Sequence, residues 1–114
     1  MTRLRLTKPE PLEAQVQRAV IRALELHPSI VWVRRMNSGA TKTASGGWVK
    51  FGFTGCPDVW AQANDGRLVV VEVKRPSGQP TKEQAEFLMM VRSAGGIAFV
   101  ARSADDVMTN LEGI

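Results

Sequence analysis

Residues 58–74 constrain this chain more than any other stretch. Val69, Val70, Val71 and Val73 are β-branched and favour extended backbone. Before them stands Asn64-Asp65-Gly66, a hairpin turn signal, and before that a second strand-like run that opens at Asp58. Side chains alternate along a strand, so Glu72 and Lys74 share one face while Val71 and Val73 take the other. The loop length then decides where Asp58 points. A two-residue loop at Asp65-Gly66 sets Asp58 opposite Val73 and sends the two carboxylates to opposite faces. A three-residue loop at Asn64-Asp65-Gly66, with Gly66 in the left-handed region, sets Asp58 opposite Glu72. A bulge near Asp58, for which Pro57 is suited, would also restore the shared face.

Two carboxylates and an ammonium on one face suit a hard divalent cation such as Mg²⁺, which takes oxygen ligands and keeps positions open for water and phosphate. Alone, a Glu-x-Lys pair reads as a solvated edge with a chance ion pair. Here it ends a valine-rich run expected to form a central strand, where solvation is poor.

Pro57-Asp58 followed by Glu72-Val73-Lys74 resembles the PD-(D/E)XK nuclease pattern, and its surroundings resemble the virus-type replication-repair nuclease (VRR-NUC) family. The matching pieces are Arg35-Met36-Asn37-Ser38-Gly39-Ala40, Gly52, Gly55 three residues before Asp58, Asp65-Gly66, Glu72 to Pro76, Thr81 with Gln84, and Gly95-Gly96. They run from about Leu12 to Leu111. Cys56-Pro57 departs from the plainest family pattern, which bears on the local turn and not on the chemistry. The resemblance implies an α/β fold with a restriction-endonuclease-like core, a mixed β-sheet flanked by helices. It also implies a Mg²⁺- or Mn²⁺-dependent endodeoxyribonuclease acting on structured DNA, four-way (Holliday) junctions first, as a homodimer. Asp58, Glu72, Lys74 and Gln84 would be the catalytic residues, and Glu13, Asp58, Glu72 and the Val73 carbonyl the metal ligands. A flap or nicking nuclease is the alternative among enzymes. A catalytically idle DNA-binding module on the same scaffold is the alternative outside them.

Charge agrees with a polyanionic partner. The 114 residues carry a formal net charge of +4 and a pI near 9.8, enough to favour nucleic acid without requiring it. Arg34, Arg35, Lys42, Lys50, Lys74, Arg75 and Lys82 fall in or beside the segments that frame the carboxylates, and the resemblance adds Asn37 to this DNA-binding rim. One compact domain suits this length. No apolar run approaches the ~20 residues that a membrane span needs, and residues 1–6 lack a signal-peptide pattern. The single cysteine, Cys56, excludes an internal disulfide and fits a reducing cytoplasm, bacterial or of a virus-infected host cell.

Residues 1–8 read as a loose basic arm. Leu12, Val16, Ala19, Val20, Ala23 and Leu24 recur at helical spacing and predict a helix over about 11–26, stopped by Pro28. Glu13 lies on the flank of its apolar stripe. A first-turn acid that complements the helix dipole explains it; the resemblance instead makes it a metal ligand, in a pattern with Gln17. Ile30–Val33 predicts a strand continued by Arg34 and Arg35. Residues 37–47 read as a long loop, followed by a short extended piece at Trp48–Phe51. Trp48 and Phe51 are capable of stacking on bases, but core placement is the plainer expectation. Thr81 and Gln84 form a capping-box pattern, which accounts for Gln84 without any catalytic role. In the helix that follows, Phe87, Leu88, Val91 and Ala94 are the expected core face, with Met89 and Met90 packed. A strand at Ile97–Ala101 and a short helix capped by Ser103, with Val107, Met108 and Leu111 inward, complete the reading.

Overall fold

The computed structural model describes residues 9–36 and 39–114; the side chains of residues 39, 40, 50 and 51 are outside the description. The basic arm expected at residues 1–8 and the site residue Asn37 lie outside the described residues. Helix α1 is Glu13–Leu26, and strand β1 is Ile30–Arg35. Strands β2 (Gly39–Lys42) and β3 (Trp48–Phe51) follow, then β4 (Val59–Ala63) and β5 (Leu68–Val73). Helix α2 is Lys82–Ser93, β6 is Ile97–Ala101 and α3 is Ala104–Asn110.

Four strands form one mixed sheet in the order β1-β4-β5-β6. The β1/β4 and β4/β5 pairs are antiparallel, and β5/β6 is parallel. The parallel pair follows from the α2 crossover, since parallel neighbours need a long connection. β5 is central and buried on both faces, which is why it reads as a near-continuous valine run. Val59, Ala61, Val69, Val71 and Val73 face one layer, where Val16, Val20 and Leu24 of α1 pack with Val107 of α3 and with Leu111 just after it. Val70 and Ala98 face the other layer, under Leu88 and Val91 of α2. The alternation puts Asp58 and Glu72 on the α2 side of the sheet.

The hairpin between β4 and β5 has the three-residue loop. Ala63 and Arg67 close it, with the Ala63 N–H donating to the Arg67 carbonyl at 2.9 Å. Gly66 sits at φ +94°, where only glycine is unstrained. Asp65 Oδ1 accepts from the Arg67 N–H at 3.0 Å and rigidifies the turn. β4 and β5 pair without a register shift; the sheet's irregularity is instead in β1, between Ile30 and Trp32.

Several expectations are corrected. The long loop at residues 37–47 contains β2, which pairs with β3 as a separate two-stranded antiparallel sheet. Its turn is built by Thr43, whose N–H donates to the Gly47 carbonyl and whose hydroxyl accepts from the Gly47 N–H. Trp48 is not core: it is 69% exposed on this small sheet, whose two strands have no covering layer among the described residues. Met89 and Met90 are 62% and 63% exposed, because α2 turns only its Leu88 and Val91 side to the sheet. Ala94 and Met108 are also exposed.

Candidate active site

Continuing the β4/β5 register by one pair beyond Val59↔Val71 sets Asp58 opposite Glu72. Asp58 is fixed by its own backbone and side chain. Its carbonyl accepts from the Met36 N–H at 2.7 Å, tying it to the end of β1. Its Oδ2 accepts from the Val73 N–H at 2.9 Å. An extended residue directs its N–H and C=O to the same side, so the Val73 carbonyl also leaves β5 on the Asp58 side.

Upstream, Gly55 adopts φ +86°, and a Cβ there would lie 2.6 Å from the Glu83 carbonyl oxygen. Only glycine lets this turn pass so close to the first turn of α2. Cys56 and Pro57 beside it are buried. Burial pushes the Cys56 thiol up, away from the thiolate a nucleophile needs.

Glu72 is the unusual group. Its side chain is 2% exposed, at the end of a central strand. Oε1 accepts from Gln84 Nε2 at 3.0 Å and lies 3.8 Å from Lys74 Nζ. Oε2 is buried with no hydrogen-bond partner, the one such side-chain atom among the described residues. Burial first, then the neighbouring Asp58 carboxylate, push the Glu72 carboxyl up to about 9; Lys74 opposes this and Glu13 adds to it.

An orphaned carboxylate oxygen inside a protein is expensive. A divalent cation between Asp58 and Glu72 would relieve it, so the residues present fit such an ion. Glu13 is placed differently. It lines a cavity of about 250 Å³ with Ala14, Gln17, Arg35 and Asp58, but its side chain is exposed. Among the described residues no three Asp, Glu, His or Cys side chains gather as a preformed ligand set. The structure thus joins Asp58 and Glu72 and leaves Glu13 across the cavity.

Gln84 closes the helix cap and also reaches Glu72. Its Oε1 accepts from the Thr81 N–H at 2.8 Å, and its N–H donates to Thr81 Oγ1 at 3.2 Å, which completes the capping box. Its Nε2 remains free to donate to Glu72, so the cap aims the amide at the site.

The basic rim is uneven. Arg35 lines the Glu13–Asp58 cavity. Arg34 is exposed and turns back onto the Val33 carbonyl at 2.8 Å. Lys42 is exposed at the end of β2. Lys50 lies on β3 with its side chain outside the description. Lys82 is exposed at the start of α2 and lies 3.8 Å from Glu86. Arg75 is engaged with Glu10 at 2.9 Å. The sequence reading missed that last contact and the role of Arg102, which donates to the Gly78 carbonyl beyond Arg75. Both are long-range pairings without a local signal.

A carboxylate pair with a lysine at the end of a central strand, on a mixed sheet between helices, defines a PD-(D/E)XK-type nuclease core. The VRR-NUC domain profile matches residues 12–105, and the chain belongs to that family of nuclease domains. A search of curated proteins finds no match. No described helix is long and apolar enough to cross a membrane.

Proposed function

We propose that the chain is a Mg²⁺- or Mn²⁺-dependent DNA endonuclease that hydrolyses phosphodiester bonds in structured DNA, with four-way junctions as the leading substrate. The observation that supports this most is the Asp58–Glu72 pair with its orphaned Glu72 oxygen, 3.8 Å from Lys74 measured at the other oxygen. Asp58, Glu72 and the Val73 carbonyl would hold the ion, with Glu13 reached across the cavity; once bound it supplies charge to the phosphate and acidity to a water.

The chain's own groups do the rest. Lys74 is 16% exposed at its side chain, so its ammonium meets the site with little competing solvent. There it positions the attacking water or stabilises the charge that develops on the phosphate. Gln84 fixes the rotamer of Glu72 and the Val73 N–H fixes that of Asp58, which sets the carboxylates before substrate arrives. Arg34, Arg35, Lys42, Lys50 and Lys82 would hold the backbone by charge, which reads DNA shape and not base sequence. In the chain β2 and β3 lie between Arg35 and Asp58, so Trp48 and Lys42 are carried on a segment that connects two site residues. A homodimer would provide two symmetric sites for paired cuts; the exposed Met89 and Met90 support an apolar contact on α2, away from the carboxylates.

The test is cleavage of labelled duplex, flap, splayed and four-way DNA, each with Mg²⁺, Mn²⁺ or EDTA. Metal-dependent cuts, strongest on the four-way substrate, are expected. Cleavage in EDTA, or none on any substrate with metal, contradicts the proposal.

A further inference from the structure

Glu10 lies between Pro9 and Pro11, ahead of α1, yet its carboxylate is engaged by the loop that leaves β5. The Ser77 N–H donates to Oε1. The Ser77 hydroxyl donates to Oε2 at 2.9 Å, and Arg75 Nη2 stands 2.9 Å from the same oxygen. A backbone N–H, a hydroxyl and a guanidinium converging on one anion are the donors a phosphate takes. The Ser77 amide, then its hydroxyl, and the charge of Arg75 hold the Glu10 carboxyl below its usual range, as expected of a carboxylate seated in an anion site.

The loop is shaped without Glu10. The Gly78 N–H donates to the Arg75 carbonyl at 2.8 Å, closing the turn. Arg102, from the end of β6, donates through Nε and Nη2 to the Gly78 carbonyl at 3.2 and 2.9 Å. The anion donors are therefore preorganised from the sheet side, and Glu10 enters from outside. Arg75 and Ser77 are exposed, and exposed ion pairs are weak enough to exchange. Arg75 directly follows Lys74, and Ser77 is three residues from it, at most ~11 Å of chain. An anion bound here sits beside the reaction centre.

We propose that the Arg75–Ser77 loop is a phosphodiester-binding subsite and that Glu10 is its resident anion, displaced by a DNA backbone phosphate. This rests on the nuclease reading above. Glu10 then sets a threshold: only a polyanion that offers several phosphates at once displaces it.

Two measurements on the full chain test this. In EDTA, four-way DNA is titrated between 50 and 200 mM salt with wild type, Glu10→Ala, Glu10→Gln, Arg75→Ala and the Glu10→Ala/Arg75→Ala double variant. Both Glu10 variants should bind about 3–10-fold tighter, and the slope of log affinity against log salt should steepen by about one. Arg75→Ala should erase the gain. Separately, inorganic phosphate is titrated while the Ser77 amide is followed by NMR. It should shift saturably at millimolar phosphate in Glu10→Ala, and several-fold less in wild type. Unchanged or weaker DNA binding in both Glu10 variants overturns the proposal, as does a Ser77 amide in Glu10→Ala that phosphate does not move. A wild type that binds no DNA while the phosphate response stands sinks the nuclease reading and leaves the anion site in place.

Discussion

Gln84 donates to Glu72 across 3.0 Å with the same side chain that closes the N-terminal cap of α2. One residue couples the start of a helix to the most buried carboxylate in the described structure. The two functions separate by mutation. Thr81→Ala removes the cap hydroxyl at a cost of about 1 kcal/mol but keeps the amide near Glu72. Gln84→Ala loses the contact to Glu72 and the acceptor for the Thr81 N–H, while the backbone N–H at position 84 still donates to Thr81 Oγ1. Urea midpoints should fall in both variants, while cleavage falls sharply only in Gln84→Ala. Equal loss of activity in the two would assign Gln84 to the cap alone.

The protonation of Glu72 makes stability depend on pH in a definite direction. Its carboxyl is raised from 4.5 to about 9 in the folded protein, so across that window the folded state holds more protons than the unfolded. Stability from this group is complete below about pH 4.5 and is lost as pH rises through about 9, by no more than ~1.4 kcal/mol per unit. In EDTA, Glu72→Gln should therefore gain on wild type as pH rises from 5 to 9. Urea unfolding at five pH values reads it; parallel curves would contradict the assignment.

Gly55 is irreplaceable on steric grounds. Its φ of +86° and a Cβ position 2.6 Å from the Glu83 carbonyl predict that Gly55→Ala destabilises, by roughly 1–3 kcal/mol for the backbone alone. The start of α2 must shift, so activity should drop further than stability. A thermal melt within 1 °C of wild type would show that the close approach is relaxed in solution.

Lys74 should prove separable from metal binding. Lys74→Ala is expected to fold, to bind DNA and to cleave about 10²–10⁴-fold more slowly. Single-turnover rates at saturating Mn²⁺ test this; a loss under tenfold would remove Lys74 from the chemistry.

Trp48 is exposed, so Trp48→Ala should leave stability within about 0.5 kcal/mol. If its ring stacks on a base at the branch, affinity for four-way DNA should fall by about 1–3 kcal/mol with little change for plain duplex. Equal affinities would return Trp48 to an incidental surface role.

The α/β order and the sheet's strands were legible because their signals are local. β-branched residues mark β5, Pro28 follows α1, and Thr81 and Ser103 cap α2 and α3. The shared face of Asp58 and Glu72 was legible only as a choice between loop lengths, since one residue of slip reverses it. Gly66 decided it. The β2/β3 sheet was hidden because Ser, Thr and Gly in residues 38–47 suit a loop and a bare hairpin equally. Met89, Met90 and Trp48 were misplaced because residue type predicts burial only where a second layer arrives. Glu10 and Arg102 act across the fold, so nothing near them in the chain announces their partners. The distance of Glu13 from the pair depends on how α1 docks on the sheet, which helical periodicity does not contain.

Whether Asp58 and Glu72 hold a divalent ion is read directly by Mn²⁺ binding followed by electron paramagnetic resonance. Wild type should bind Mn²⁺ saturably, with Mg²⁺ competing, and Asp58→Asn and Glu72→Gln should each weaken binding at least tenfold while Lys74→Ala retains it. Unaltered Mn²⁺ affinity in both carboxylate variants would contradict the site.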